Sequence, residues 1–142
     1  MSYKASARMT PIFCLLRLNS DATLSAGDAV PVIVDSGTSG HGVTVASGVV
    51  TLPSAYQWFA QTQIVPTSII SVDFDWYVGS TASTTFAQTG VSLVNSTTSG
   101  SNNIGYAYFD VAMSTKNIEL RASVACTVDA SFTWLMLTGY PS

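Results

Sequence analysis

Residues 48–65 read GVVTLPSAYQWFAQTQIV, a run of β-branched and aromatic residues with one proline, Pro53, near its middle. The first half predicts a buried strand, the proline a turn, and the second half a longer strand paired with the first. In that longer strand Tyr56, Trp58, Ala60, Thr62 and Ile64 fall on one face and Gln57, Gln61 and Gln63 on the other. This is the two-residue period of a strand with one side in the core. Its polar side is built from glutamines without a charge. Such a surface suits a chain packed against copies of itself or against a shell, where an unpaired charge would be costly to bury.

The same alternation recurs further along. Val72, Phe74, Trp76 and Val78 oppose Asp73, Asp75 and Tyr77, and Ile118, Leu120, Ala122, Val124 and Cys126 oppose Glu119, Arg121 and Ser123. Strands are expected over residues 10–18, 28–34, 43–52, 56–65, 69–78, 90–95, 104–113, 117–126 and 132–137. Segments 19–27, 35–42, 79–85 and 96–103, rich in Ser, Thr, Gly and Asn, read as loops. No window has helical periodicity. About nine strands with connections of mixed length imply an all-β, two-sheet antiparallel sandwich. Residues 1–9 form an N-terminal arm before a single domain over 10–142.

Composition restricts the function. The chain has 142 residues, 47% hydrophobic and only 9% charged, where about a quarter charged is usual. A membrane span needs roughly 18 uninterrupted apolar residues, and the best run, 11–18, contains Arg17. Lys4 and Arg8 are not followed by the apolar stretch and cleavage site of a signal peptide. The expectation is a charge-poor β-protein with no membrane contact. Lys4, Arg8 and Arg17 precede every acid, so the arm is basic and the body acidic. Tyr3, Lys4 and Arg8 are the candidate shell-docking residues, placed to lie on an acidic neighbour. Three dispersed cations and a net charge of −3 argue against nucleic acid.

The two cysteines, Cys14 and Cys126, each sit in an apolar strand-like segment and read as buried free thiols, with a disulfide as the alternative. Two thiols and the single His41 are too few for a metal site, and no cofactor is expected. Asp73 and Asp75 share a strand face and read as solvated charges beside Tyr77. Gly37, Gly40 and Gly42 lack the following Gly-Lys-Ser/Thr of a phosphate loop.

Three segments carry a resemblance: GVVTLPSAYQWFAQTQI, VDFDWYVGS and IELRASVACTVDASFTWLMLTG. Together they resemble head domains of the tumour-necrosis-factor and complement-C1q type. More narrowly, residues 43–139 are similar to small jelly-roll modules on bacteriophage virions, in which a G-hydrophobic-hydrophobic-T-L-P strand leads into an aromatic strand. A middle F-x-W-Y strand followed by Gly, an L-R strand and a final S-x-x-W-L strand complete the order. The resemblance implies a jelly roll with a tendency to trimerise; it transfers no functional residue.

Val32 to Ser39, VIVDSGTS, matches the active-site loop of aspartic proteases. There, two such loops bring together carboxylates that share one proton and activate a water. One loop per chain would require a homodimer using Asp35 from each subunit, and no downstream hydrophobic-hydrophobic-Gly brace is present. The reading adopted is a strand of Val30, Val32 and Val34 followed by a polar turn.

The expected function is therefore non-enzymatic: a trimeric decoration or cement protein that docks on and stabilises the head shell of a tailed phage. It would be made in the host cytoplasm and carried on the capsid surface, with itself and the major capsid protein or another virion protein as partners. The alternative is a receptor- or glycan-binding head of a phage fibre. Subunit contact is assigned to Gln57, Gln61, Gln63, Tyr106, Tyr108 and Phe109.

Overall fold

The computed structural model describes residues 10–37, 39–67, 72–79, 81–82, 103–111 and 114–142. Among them are twelve strands and no helix. The strands are β1 (Ile12–Arg17), β2 (Ala22–Leu24), β3 (Ile33–Val34), β4 (Thr44–Ala46), β5 (Val49–Leu52), β6 (Tyr56–Ile64), β7 (Phe74–Val78), β8 (Thr81–Ala82), β9 (Asn103–Val111), β10 (Lys116–Ala122), β11 (Cys126–Val128) and β12 (Trp134–Pro141). They form two five-stranded sheets, β3-β1-β12-β6-β9 and β4-β5-β10-β7-β8, with a short β11-β2 pair. Every pairing is antiparallel. The all-β, two-sheet sandwich expected from the alternation is the fold observed.

Its core is the set of inward side chains that the period-two pattern selects. Leu16, Trp58, Ile64, Leu135 and Leu137 come from the first sheet and Val50, Leu52, Phe74, Trp76, Ile118 and Leu120 from the second, all essentially without solvent exposure. Trp76 meets Phe109 edge-on with ring centroids 5.3 Å apart, which ties the two sheets together.

The opening segment folds differently from its sequence reading. β5 and β6 do not pair with each other: β5 lies between β4 and β10, and β6 between β12 and β9. The turn at Pro53 carries the chain from one sheet to the other, and Trp58 fixes it by donating its Nε1 to the Pro53 carbonyl at 3.2 Å. Residues 43–52 are likewise not one strand but a hairpin, because Ser47 (φ 50°) and Gly48 (φ 79°) adopt the two positive φ angles of a type I′ turn. Gly48 is required twice over, since a Cβ there would stand 2.8 Å from the Val30 carbonyl oxygen.

Other boundaries shift for local reasons. Residues 19–27 contain β2, which pairs with β11, and 79–85 contain β8, which pairs with β7. The strand expected over 117–126 breaks after Ala122, where Ser123 N donates to the Asp73 carbonyl at 2.8 Å and Val124 turns outward. Only Ile33 and Val34 of 28–34 pair as a strand, and the strand expected over 90–95 lies outside the described residues. Ser142 N reaches the Ala55 carbonyl at 3.1 Å and Ile12 stands opposite Gly139, so the chain enters and leaves the sandwich at one end. At the distal end are the β1–β2 and β11–β12 turns.

Candidate functional site

Register arranges the outer face of the β3-β1-β12-β6-β9 sheet in rows. Phe13, Thr138, Phe59 and Tyr108 line up across β1, β12, β6 and β9, and Leu15, Met136, Gln61 and Tyr106 form the next row. Arg17, Trp134 and Gln63 follow at the distal side, and Tyr140 faces Gln57 at the other. Directly opposed side chains in an antiparallel sheet share a face and touch. Phe59 accordingly packs on Tyr108 (4.9 Å between centroids) and edge-on to Tyr140 (5.6 Å).

The two central rows contain no charged residue. Tyr106, Phe13, Phe59 and Tyr140 are exposed, at 58%, 54%, 43% and 42%. An open groove of about 480 Å³ is walled by Phe59, Tyr106, Met136 and Tyr140 and carries the polar groups of Gln61 and Thr138. Small inward residues, Ala60 and Ala107, form its floor. A contiguous apolar surface of this kind, with a few hydrogen-bonding groups inside it, is the ordinary chemistry of an interaction face.

The residues assigned to subunit contact do not all share this face. Gln57, Gln61 and Gln63 lie on it, with Tyr106 and Tyr108 beside them. Phe109 does not: it is the inward neighbour of Tyr108, 1% exposed and packed on Trp76. A strand cannot present consecutive residues to one side, so the subunit-contact assignment of Phe109 is corrected to core. The face also carries Phe59, Phe13, Met136, Thr138 and Tyr140, which that assignment does not include. Phe59 was legible, because it has the same parity as Gln57 and Gln61; the others needed the strand register. Tyr3, Lys4 and Arg8 lie outside the described residues.

Asp35 follows β3 at the sheet edge, where its Oδ1 accepts from Arg17 Nε at 2.8 Å and its backbone N–H donates to the Leu15 carbonyl at 2.9 Å. The loop is thereby tied to β1 through an ion pair. Cys14 and Cys126 are free and buried. Burial pushes the Cys14 thiol up to about 11 and raises Cys126 as well, so neither is an activated nucleophile.

No protein-family model and no curated protein sequence matches the chain. Among solved structures, murine APRIL is similar with TM-scores of 0.60 and 0.61, at 10% sequence identity over 91% of this chain and 98% of that one. Eiger TNF from S. frugiperda is similar with a TM-score of 0.54, at 11% identity over 90% of this chain and 91% of that one. The fold is a TNF-like jelly roll. At these identities the likeness concerns the fold alone, and the residues of the outer face are this chain's own.

Proposed function

We propose that the chain is a non-enzymatic structural head that closes on itself as a homotrimer through the outer face of the β3-β1-β12-β6-β9 sheet. The observation that carries this reading is the pair of uncharged rows with Phe13, Phe59, Tyr106 and Tyr140 open to water. Burying a phenylalanine side chain is worth about 1.5–3 kcal/mol, and several aromatics per protomer can offset the cost of association, which starts at about 4 kcal/mol. The tumour-necrosis-factor-like resemblance supports the trimeric order.

The setting is a virus particle. The similarity of residues 43–139 to small jelly-roll modules of bacteriophage virions supports a decoration or cement protein on the capsid of a tailed phage, made in the host cytoplasm and bound to the major capsid protein. Residues 10–142 act as one sandwich and the basic arm, with Tyr3, Lys4 and Arg8, as the attachment segment. Entry of the chain at one end of the sandwich suits such a mounting. Two measurements test the proposal. Light scattering at micromolar concentration should give three times the chain mass, and a monomer would sink the trimer. Purified particles should carry the chain at a copy number near that of the shell protein, and a few copies at a tail tip would place it on a fibre instead.

A further inference from the structure

Phe132 projects from the distal turn with 55% of its surface open, yet the backbone that carries it is fastened at each step. Asp129 N donates to the Val65 carbonyl at 2.8 Å, Ala130 N to Asp21 Oδ1 at 2.8 Å and Ser131 N to Asp129 Oδ1 at 2.7 Å. Gln63 Nε2 donates to the Phe132 carbonyl at 2.7 Å, and Thr133 Oγ1 accepts from Val65 N at 3.1 Å. A turn already immobilised in this way gives up little further entropy when its aromatic is captured. That separates an anchor from a stray surface hydrophobe.

Two carboxylates belong to the turn, and the cation of the adjacent row, Arg17, is balanced by Asp35. Asp21 and Asp129 both bond to the turn itself. Arg121 is likewise engaged by Glu119, and Lys116 stands opposite Leu52 toward the other end. We propose that the distal turn is a docking knob, in which Phe132 enters an apolar pocket on a partner protein whose rim carries lysine or arginine to meet Asp21 and Asp129. The knob lies at the end away from Ile12 and Ser142, so a head mounted through that end holds it outward. It works whether the head is a trimer or a monomer.

The test pans a random peptide library against the intact protein. Enriched peptides should combine a large apolar residue with Lys or Arg and bind Phe132→Ser at least tenfold more weakly, a loss of about 1.4 kcal/mol or more. They should also bind Asp129→Asn several-fold more weakly, since the asparagine oxygen keeps the Ser131 cap while removing the charge. Raised salt should weaken wild-type binding. Phe132→Ser should keep the thermal midpoint and molecular mass of the wild type. Failure to enrich any peptide, or equal binding to Phe132→Ser, would overturn the proposal. So would a change of oligomeric state in Phe132→Ser, which would assign the ring to subunit packing.

Discussion

On the outer face of the β4-β5-β10-β7-β8 sheet, register sets Glu119 beside Tyr77 and Arg121 beside Asp75, whereas the corresponding rows of the other sheet set Phe13 beside Thr138 and Met136 beside Gln61. The first of these faces pairs polar and charged groups with one another within one chain. Arg121 donates Nε to Glu119 Oε1 at 2.8 Å, adds a second bond from Nη2, and lies 4.1 Å above the Tyr77 ring. Thr51 Oγ1 donates to Asn117 Oδ1 at 2.8 Å. On the opposite face the exposed groups are aromatic rings and uncharged glutamines, Gln57 and Gln61 among them. The low charge of the chain is therefore not spread evenly. What charge the described body has lies on one face, in the loops and at the margins of the other face, where register places Arg17 and Asp110, which leaves the two central rows free for apolar contact.

The comparison breaks most sharply under an added carboxylate. Tyr106→Asp or Gln61→Asp, in the groove, should convert the oligomer to monomers, since an unpaired charge at a buried contact costs several kcal/mol. Thr51→Asp, on the face whose polar groups pair with one another, should leave the assembly intact. Light scattering on the three variants decides it. The same mass for all three would show that the groove is not an interface.

A second, smaller effect comes from the inner side of the same sheet. Cys14 points into the core between the outward Phe13 and Leu15, and burial lifts its thiol from 9.0 to about 11. Between those values the unfolded chain has released the proton and the folded chain holds it. Stability is therefore unaffected below pH 9 and falls as pH rises toward about 11, at most by about 2–3 kcal/mol. Chemical denaturation of wild type and Cys14→Ala across that range should show the slope lessened in the variant. Identical slopes would mean that the thiol is as accessible as in the unfolded chain.

The two buried tryptophans extend the contrast into the core. Trp58 Nε1 bonds to the Pro53 carbonyl, while Trp76 Nε1 has no partner among the described residues. Phenylalanine at either position loses similar volume, but at 58 it also removes a hydrogen bond and at 76 a buried donor left unsatisfied. Trp58→Phe should thus be the more destabilising by about 1–2 kcal/mol in urea unfolding. Equal losses would indicate that Trp76 Nε1 is satisfied by water.

Legibility in the sequence divides along physical lines. The inward sets Phe74–Trp76 and Ile118–Leu120–Ala122 were readable because uninterrupted alternation reports burial directly. The Pro53 crossover was not, since two neighbouring strands look alike whether they pair or separate into facing sheets; the choice depends on where Trp58 is buried. The Ser47–Gly48 turn was hidden in an apolar run that a single strand also explains. At the candidate face, parity supplied Gln57, Gln61 and Gln63; carried to Phe59 and to residues 106–109 it would have placed Phe59 there and Phe109 in the core. Phe13, Met136 and Tyr140 could be joined to them only through a register spanning most of the chain.

The smallest expected effect concerns the ion pair at the edge of the apolar face. Arg17 and Asp35 retain 36% and 24% of their side-chain exposure, so solvent screens them, and a pair of this kind contributes about 0–1 kcal/mol. The Glu119–Arg121 pair is less exposed, at 12% and 27%. Asp35→Asn should therefore lower unfolding stability by no more than about 1 kcal/mol, and Glu119→Gln by more, because it leaves a partly buried guanidinium without its counter-charge. The same Asp35 variant checks the protease-like loop. A catalytic carboxylate must share a proton with a second one and activate water, whereas this one is occupied by the guanidinium of its own sheet. Neither wild type nor Asp35→Asn should cleave a denatured protein substrate at acid pH. Cleavage by the wild type that disappears in the variant would turn the edge of the apolar face from a boundary of assembly into a reaction centre.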